Sequence, residues 1–263
     1  MTIQQETDDP RLRHPGPAPS RPADRAGYER SKRLLDLVIA VVLLLLAAPV
    51  MAVVAVAIAA TLGRPVLFRQ VRPGRYGELF ELVKFRTMRP VDLAAGVVSD
   101  RDRLSRLGRW LRSTSLDELP TLWNVVRGEM SLVGPRPLLV EYLDRYTPTE
   151  ARRHEVRPGI TGLAQVRGRN ELSFTERFRH DVWYVDNRSL ALDLRILVET
   201  VSAVLRRRGI TAPGCTTSPT FTGSAVVAGY PGGGDGVPIG PDGREIRIGP
   251  DGRAHPPADR LSR

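Results

Sequence analysis

The stretch that decides the architecture runs from Leu34 to Leu62 and reads LLDLVIAVVLLLLAAPVMAVVAVAIAATL. Only Asp36 near its start and Thr61 near its end are polar. A run this long and apolar is typical of a helix buried in a bilayer, whereas a signal peptide has a shorter apolar core nearer to the N-terminus. We therefore predict that this segment anchors the chain in a membrane.

The length of this segment and the proline near its middle allow two different paths in the membrane. As a straight helix it would measure about 43 Å, which exceeds the hydrocarbon core of about 30 Å. Pro49 removes a backbone hydrogen bond and crowds the preceding turn, so a kink is expected there. A tilted spanning helix and a re-entrant helix, bent at Pro49, both fit. Basic residues, which mark the cytoplasmic side, flank both ends: Arg25, Arg30, Lys32 and Arg33, and Arg64, Arg69, Arg72 and Arg75.

The charge of the chain narrows the class of partner. Its 263 residues carry a formal net charge of +10, which indicates an anionic partner such as nucleic acid, anionic lipid or a phosphorylated substrate. The membrane segment favours the last two. The sequence has no zinc-ligand spacing and no RNA-binding aromatic motif, so no nucleic acid partner is predicted. The only cysteine is Cys215, which excludes an intrachain disulfide.

The two ends of the chain differ from its middle in composition. Residues 1–30 are rich in Pro, Arg and Asp, and residues 211–263 in Gly, Pro, Thr and Asp. Such segments cannot bury enough apolar area to offset their ordering entropy, so we predict two disordered tails. Residues 31–64 then form the membrane segment, and residues 65–210 form one domain.

Within residues 65–210 the apolar spacing predicts mostly helices and one small β-hairpin. Two strands are predicted at 66–71 and 79–88, joined by the turn signal Arg72-Pro73-Gly74. Helices are predicted at 103–111, 115–127, 138–146, 150–156, 174–185 and 190–208. The last helix is amphipathic and ends in three arginines, so it could pack in the core or lie on anionic lipid headgroups. The sequence has no alternation of strands and helices that is long enough for a parallel doubly wound sheet.

Two adjacent carboxylates stand out in Ser115-Leu116-Asp117-Glu118. Ser-x-x-Glu is the pattern of a capping box, and acidic groups favour a helix N-terminus, so a purely structural role accounts for the tetrapeptide taken alone. In the functional interpretation, one carboxylate attacks a phosphorus atom and the other binds a divalent metal ion.

Three further segments contain basic residues, and two of them combine these with glycine or proline. In Gly134-Pro135-Arg136-Pro137 the prolines fix the backbone and could hold a guanidinium in one direction for phosphate binding. In Arg157–Asn170 the glycines could admit a ligand close to the backbone, although a basic, solvated surface loop fits equally well. The third segment, Lys84–Met88, reads as a strand end with basic residues.

The order and spacing of these motifs are more specific than any one of them. Lys32-Arg33 precede an apolar run with a central proline. Four motifs then follow along the chain: Lys84–Met88, Ser115–Pro120, Met130–Pro137 and Arg157–Gly162. This arrangement resembles the bacterial sugar transferase family, the monotopic polyprenyl-phosphate phosphoglycosyl transferases, from Lys32 to Gly209. It is similar to the short form, because no set of extra transmembrane helices precedes it.

The resemblance implies a reaction. The family moves a sugar-1-phosphate from a nucleotide sugar, usually a UDP-sugar, to a polyprenyl phosphate, and it requires Mg²⁺. The products would be UMP and a polyprenyl-diphosphate sugar, in the first membrane step of a bacterial glycan pathway. Carried onto this chain, Asp117 would be the nucleophile that forms a phosphosugar-aspartate, and Glu118 would bind Mg²⁺. The resemblance also implies two phosphate-binding residues, Arg112 and Arg136, and five substrate-binding residues: Lys84, Gln165, Arg167, Arg169 and Asn170.

The resemblance also implies an architecture and a location. It favours a re-entrant helix bent at Pro49, followed by a cytosolic α/β catalytic domain with interfacial amphipathic helices. The chain would be mostly α with a small β-hairpin. The domain would lie on the cytoplasmic face of the bacterial plasma membrane, with downstream glycosyltransferases as further partners. The alternative is a catalytically inactive membrane scaffold for glycan-assembly enzymes, which would not need these motifs intact.

Overall fold

The computed structural model describes residues 22–93, 97–168, 172–205, 221, 223, 247–248 and 254–255. They divide into two units, residues 1–222 and 223–263. In the second unit, Arg247–Ile248 pairs antiparallel with Ala254–His255. Most of the two tails predicted to be disordered lies outside the described residues. The first helix begins at Pro22, before the boundary predicted at residue 31.

The first unit is mostly helical and contains two small two-stranded sheets, which confirms the predicted class. The α-helices are α1 Pro22–Leu62, α2 Asp100–Arg103, α3 Arg106–Thr114, α4 Leu122–Arg127, α5 Pro148–Ala151, α6 Leu163–Arg167, α7 Phe174–Asn187 and α8 Leu190–Leu205. The strands are β1 Leu67–Pro73, β2 Leu79–Phe85, β3 Ser131–Val133 and β4 Gly159–Thr161. Short 3₁₀ helices lie at Arg75–Gly77, Leu116–Thr121, Val140–Arg145 and Arg152–Glu155.

The membrane segment forms α1, one helix that continues through Pro49. Its residues 26–62 are long and apolar enough to cross a membrane, and few of them are buried by the rest of the chain. Large apolar side chains are exposed along the helix, among them Leu34, Leu45, Leu46, Val53 and Val56. An exposed face of this kind suits contact with lipid. The bend at Pro49 stays a prediction.

The opposite face of α1 packs on the domain on both sides of Pro49. Before the proline, Ala40 is completely buried in the main hydrophobic core. After the proline, Ile58 packs with Phe85 and Leu111 in a second hydrophobic cluster. The helix therefore lies along the domain over most of its length.

The one charged residue of the apolar run faces the domain. Asp36 is 5 % exposed. Its carboxylate accepts hydrogen bonds from Ser131 Oγ at 2.7 Å and from the Leu132 backbone N–H at 3.2 Å. One turn earlier, Lys32 Nζ lies 2.9 Å from Asp193 of α8. These partners explain how a carboxylate is accommodated in an otherwise apolar segment, since a buried charge without partners would be costly.

The predicted β-hairpin is confirmed. β1 and β2 pair antiparallel, with Leu67 opposite Phe85 and Pro73 opposite Leu79. The turn lies further along the chain than predicted, at residues 74–78, where the Gly74 N–H donates to the carbonyl oxygen of Glu78 at 2.7 Å. Pro73 is the last residue of β1, a position where its missing N–H does not interrupt the strand pairing.

A second small sheet escaped the sequence patterns. β3 and β4 pair in parallel, with Ser131 opposite Gly159 and Val133 opposite Thr161. Strands of three residues are too short to show the alternation that identifies a strand in a sequence. The pair is important for the site because β3 leads directly into the loop that contains Arg136.

Glycines in this region allow two stretches of backbone to touch. A Cβ atom on Gly159 would lie 2.1 Å from the Gly134 nitrogen, and one on Gly162 would lie 2.2 Å from the Gly134 oxygen. Neighbouring backbone therefore occupies the space beside both residues. The interpretation that these glycines admit a ligand is wrong for Gly159 and Gly162.

The C-terminal helices α7 and α8 confirm the two helices predicted at 174–185 and 190–208, although residues 206–208 lie outside the described residues. α8 is apolar on two faces. Ile196 is buried in the core, whereas Leu194, Val198 and Val201 are exposed. An exposed apolar face suits a helix that lies on a bilayer, and this interfacial location stays a prediction.

Candidate active site

The acidic pair Asp117 and Glu118, called the dyad below, lies at the start of a 3₁₀ helix. This helix, Leu116–Thr121, is called the dyad helix. The predicted capping box is wrong, because Ser115 adopts the left-handed conformation (φ 58°, ψ 15°) and its side chain makes no capping hydrogen bond. The helix predicted at 115–127 is likewise two elements, the dyad helix followed by α4. Pro120, which lacks an N–H, is compatible with this division.

The carboxylate of Glu118 is held by two cations. Its Oε1 accepts hydrogen bonds from Lys84 Nζ at 2.6 Å and from Arg136 Nη2 at 2.8 Å. Burial by itself would raise the pKa of Glu118, but the charges of Arg136 and Lys84 and their hydrogen bonds hold it well below its ordinary value. Glu118 is therefore a fixed anion that joins β2, the dyad helix and the Arg136 loop.

Asp117 has a different environment. It is 9 % exposed, and no hydrogen bond or ion pair within the described residues fixes its carboxylate. Burial raises the pKa of Asp117, and repulsion by Glu118 raises it further. The nearby cations Lys84, Arg112 and Arg136 oppose both effects. A poorly solvated carboxylate with free lone pairs, surrounded by positive charge, is suited to attack an electrophilic phosphorus.

Two polar side chains that sequence reasoning missed hold β2 against the dyad helix and α4. Asn124 Oδ1 accepts a hydrogen bond from the Val83 N–H at 3.1 Å, and Asn124 Nδ2 donates to the Glu81 carbonyl oxygen at 2.7 Å. Thr121 Oγ1 donates to the Val83 carbonyl oxygen at 2.9 Å. These bonds satisfy backbone groups on the free edge of β2 and place Lys84 beside the dyad. The available signal was an amide side chain inside an apolar helix.

The basic motif at the end of β2 connects the membrane helix to the site. Arg86 donates to the carbonyl oxygen of Leu62, the last residue of α1, and to those of the next two residues, Gly63 and Arg64. The next residue, Thr87, accepts a hydrogen bond from Arg112 Nε at 3.1 Å. Arg112 in turn is close enough to Asp117 for its charge to lower the pKa of that carboxyl. The predicted phosphate-binding Arg112 therefore belongs to the same cluster as the dyad.

Arg136 is positioned by the loop Gly134–Pro137. On one side the Gly134 N–H donates to the carbonyl oxygen of Thr161 in β4, at 2.9 Å. On the other side Arg153 Nη2 donates to the backbone oxygen of Arg136 at 2.7 Å. The rigid loop predicted from its two prolines is thus also bonded to its neighbours.

Arg153 is fixed by a buried ion pair. Its Nη2 and Nε lie 2.8 and 3.1 Å from Asp181 Oδ2, and both residues are 3 % exposed. Arg153 Nη1 also donates to Tyr146 Oη at 3.0 Å. The backbone of Arg136 therefore rests on a guanidinium whose other contacts lie inside the domain.

The predicted substrate-binding residues divide into two groups. Lys84 is part of the dyad cluster. Gln165 donates through Nε2 to the Ile160 carbonyl oxygen at 2.9 Å, and Arg167 is exposed. Within the described part of the chain, no hydrogen bond or ion pair joins Gln165 or Arg167 to the dyad. Arg169 and Asn170 lie outside the described residues, so the roles of all four stay predictions.

The side chains at the dyad can be compared with the oxygen ligands that Mg²⁺ prefers. The described residues contain no group of three acidic, histidine or cysteine side chains that could bind a metal on their own. Mg²⁺ commonly binds one or two carboxylates and takes its other ligands from substrate phosphates and water. Within the described residues the side-chain hydrogen bonds of Glu118 use Oε1, so Oε2 stays available. The dyad therefore fits a magnesium ion that is bound together with a phosphorylated substrate.

Comparison with known proteins places these residues in a family. The model of the family described as bacterial sugar transferase matches residues 27–207. The chain is 49 % identical over 198 residues to the uncharacterized sugar transferase EpsL of Bacillus subtilis, which covers 75 % of this chain and 98 % of EpsL. It is 43 % identical over 199 residues to a UDP-glucose:undecaprenyl-phosphate glucose-1-phosphate transferase of Caulobacter vibrioides, covering 71 % of this chain and 74 % of that protein.

A longer relative matches over part of its length. The chain is 38 % identical over 196 residues to an undecaprenyl-phosphate galactose phosphotransferase of Salmonella typhimurium, covering 68 % of this chain and 41 % of that protein. The region matched by the family model includes α1 from residue 27 onwards, the hairpin, the dyad helix and the loop that positions Arg136. This chain belongs to the bacterial sugar transferase family.

Proposed function

We propose that this protein transfers a sugar-1-phosphate from a UDP-sugar to a polyprenyl phosphate and releases UMP. The observation that carries the proposal is the contrast within the dyad. Glu118 is hydrogen-bonded to Lys84 and Arg136, whereas Asp117 is buried, has no hydrogen bond or ion pair within the described residues, and is surrounded by cations. This arrangement gives one carboxylate a structural and metal-binding role and leaves the other free to react.

In the first half-reaction, an Asp117 oxygen attacks the phosphorus that bears the sugar. The bond between that phosphorus and the bridging oxygen breaks, and UMP leaves with the electron pair. A phosphosugar-aspartate remains. In the second half-reaction, an oxygen of polyprenyl phosphate attacks the same phosphorus. The bond to Asp117 breaks, the carboxylate is restored, and the polyprenyl-diphosphate sugar is released.

The cationic side chains provide the electrostatic part of the mechanism. Both substrates are anionic, and negative charge concentrates on the phosphorus oxygens during each transfer. We expect Arg112 and Arg136 to bind phosphate oxygens and Lys84 to neutralise charge beside the dyad. Mg²⁺, when bound through Glu118, would add positive charge at the phosphate oxygens.

The names of the relatives support this reaction class. Two of them are named for transfer of glucose-1-phosphate or a galactose phosphate to undecaprenyl phosphate. These two names differ in the sugar, so the sugar transferred by this protein is to be identified with a panel of UDP-sugars. A scaffold without activity would not need an intact dyad with its bound cations, so the transferase is favoured over that alternative.

We also propose that α1 enters the membrane from the cytoplasmic side and that both of its ends stay on that side. Residues before and after Pro49 pack on one domain, which includes the polar contacts of Lys32 and Asp36. If the helix crossed the bilayer, one of these groups of contacts would lie on the far side, away from the domain. The exposed apolar face of α1 would then contact lipid, and the dyad would meet the lipid phosphate at the cytoplasmic surface.

The reaction is tested by incubating the purified full chain with Mg²⁺, undecaprenyl phosphate and a panel of UDP-sugars, and by measuring UMP. We expect acceptor-dependent turnover with at least one UDP-sugar. The matched control omits the acceptor, which should limit UMP to one equivalent of enzyme or less. Absence of UMP with every sugar in the panel would contradict the proposed function.

The raised pKa of Asp117 predicts a pH dependence. Only the carboxylate form can attack, so the initial burst of UMP without acceptor should grow as the pH rises through the pKa of Asp117. Burial and Glu118 raise that pKa above its ordinary value of about 3.9. Glu118→Gln removes the neighbouring charge, so the midpoint of the acid limb should move to lower pH whatever the amplitude of the burst. Glu78→Gln, at an exposed position, should leave the midpoint unchanged, and an unchanged midpoint in Glu118→Gln would argue against the assignment.

The proposed topology predicts the accessibility of the start of α1. Gly27→Cys in a Cys215→Ser background places a thiol where, among the described residues, only its chain neighbours and the adjoining helix backbone lie within 4 Å of the new Cβ. In intact cells an impermeant maleimide added outside should leave this thiol unlabelled, and it should react after the membrane is permeabilised. Arg109→Cys on the exposed surface of the domain is the matched control and should behave identically. Labelling of Gly27→Cys alone from outside would show a spanning helix.

A further inference from the structure

A pocket lined by aromatic side chains lies next to the Arg136 loop. Tyr142, Tyr146, Phe174 and Phe178 line it, and it is called the aromatic pocket below. Phe221 fills it and is 4 % exposed. The family match ends at residue 207, so the side chain that fills the pocket comes from the C-terminal tail.

The ring of Phe221 contacts every wall of the aromatic pocket. Its centroid lies 5.1 Å from those of Phe174 and Phe178, 5.4 Å from that of Tyr142 and 5.8 Å from that of Tyr146. The rings of Tyr142 and Phe178 meet it edge to face, and Tyr146 stacks on it. These separations and orientations are the favourable ones for aromatic pairs.

The backbone of Phe221 is bound as well. Its N–H donates to Tyr142 Oη at 3.0 Å, and its carbonyl oxygen accepts a hydrogen bond from Arg145 Nη1. Both polar backbone groups of this residue are therefore satisfied by the 3₁₀ helix Val140–Arg145. Because the side chain and the backbone are both bound, the tail is anchored here at a defined position.

The walls of the aromatic pocket also support the arginine that positions Arg136. The Arg153 guanidinium lies 5.3 Å from the ring centroid of Phe178 and 5.6 Å from that of Tyr146. Arg153 then donates to the backbone oxygen of Arg136 at 2.7 Å. A continuous series of contacts therefore runs from Phe221 through these two rings and Arg153 to the loop that presents Arg136 to Glu118.

We propose that Phe221 is a positioning residue for the active site. By filling the aromatic pocket it holds Tyr146 and Phe178 against Arg153, and so fixes the backbone of Arg136. Without the Phe221 ring the two walls lose packing partners on one side, and interiors respond to such a void by rearrangement. Its effect on turnover rests on the proposed function, whereas its effect on the order of the loop does not.

The order of the loop is tested by hydrogen–deuterium exchange of the full chain in lipid nanodiscs. Phe221→Ala should speed amide exchange in residues 134–147, because the hydrogen bonds there open more often. Phe221→Leu keeps an apolar side chain in the pocket and should give intermediate exchange, so it carries the test if the alanine variant fails to fold. Tyr230→Ala removes an aromatic ring from the same tail and should exchange like the wild type. Equal exchange in wild type, Phe221→Ala and Phe221→Leu would overturn the proposal.

The effect on catalysis is tested by the rate of UMP release in the same variants. Phe221→Ala should lower kcat by about tenfold, with a smaller change in KM, because a displaced Arg136 stabilises the transition state less well. Phe221→Leu should recover most of the rate, and Tyr230→Ala should match the wild type. Faster exchange in the loop with an unchanged kcat would overturn the positioning role. A wild type that releases no UMP would contradict the proposed function, while the exchange result would still decide whether Phe221 orders the loop.

Discussion

Replacing Asp117 by Asn is expected to lower the rate of UMP release by at least about 10³-fold, because the amide cannot form the covalent bond to phosphorus. The side chain keeps its size, so the buried site at the start of the dyad helix should stay intact. Loss of one negative charge beside Lys84, Arg112 and Arg136 should leave binding of the anionic UDP-sugar unchanged or slightly stronger. The measurement is UMP release with acceptor and UDP-sugar at saturating concentration.

The control for Asp117→Asn is Asp144→Asn, which makes the same change at an exposed position. It should release UMP at the wild-type rate. A thermal melt of each variant separates loss of the reaction from loss of the fold. If folded Asp117→Asn releases UMP at the wild-type rate, Asp117 is not the nucleophile.

Removal of Asp181 is expected to be the most damaging change to stability among the ion pairs described above. Arg153 and Asp181 are both almost completely buried, and Asp181→Ala leaves the Arg153 charge without its partner. Breaking a buried ion pair in this way typically costs about 3–5 kcal/mol. The free energy of unfolding, measured by urea denaturation in detergent, should fall by that amount.

The adjacent arginine provides a matched control. Arg152 pairs with Asp186 across the same two elements, the 3₁₀ helix Arg152–Glu155 and α7, but these side chains are 39 % and 43 % exposed, far more than those of the Arg153 pair. Asp186→Ala should therefore cost less than about 1 kcal/mol. Equal losses in Asp181→Ala and Asp186→Ala would show that burial does not determine the contribution of the Arg153 pair.

Much of the fold was predictable because its signals are local. The apolar run of α1, the hairpin of β1 and β2, and helices α7 and α8 all have patterns that span several residues or turns. The dyad helix was predicted incorrectly, since Ser-x-x-Glu matches a capping box in sequence whether or not Ser115 can reach the helix. In the structure, the left-handed backbone of Ser115 prevents the capping box, and Glu118 pairs instead with two distant cations.

The contacts that hold the site residues in place could not be predicted from the sequence, because they join segments that are distant along the chain. The parallel pair β3 and β4 joins residues about 28 positions apart through strands of three residues. Asn124 completes the edge of β2, and Asp36 reaches from the membrane helix to β3. A single polar residue in an apolar segment marks both Asn124 and Asp36, but the local sequence does not identify the distant partner of either one. The resemblance identified five motif residues, and the structure brings them together: Asp117, Glu118, Arg112, Arg136 and Lys84.

The most direct test of a covalent intermediate on Asp117 is isotope exchange without acceptor. Purified protein is incubated with UDP-sugar, Mg²⁺ and radiolabelled UMP, and the label in UDP-sugar is measured. Because the first half-reaction is reversible, the wild type should incorporate label and Asp117→Asn should not. No exchange in a preparation that turns over when polyprenyl phosphate is added would contradict the covalent intermediate and would indicate direct transfer between the two substrates.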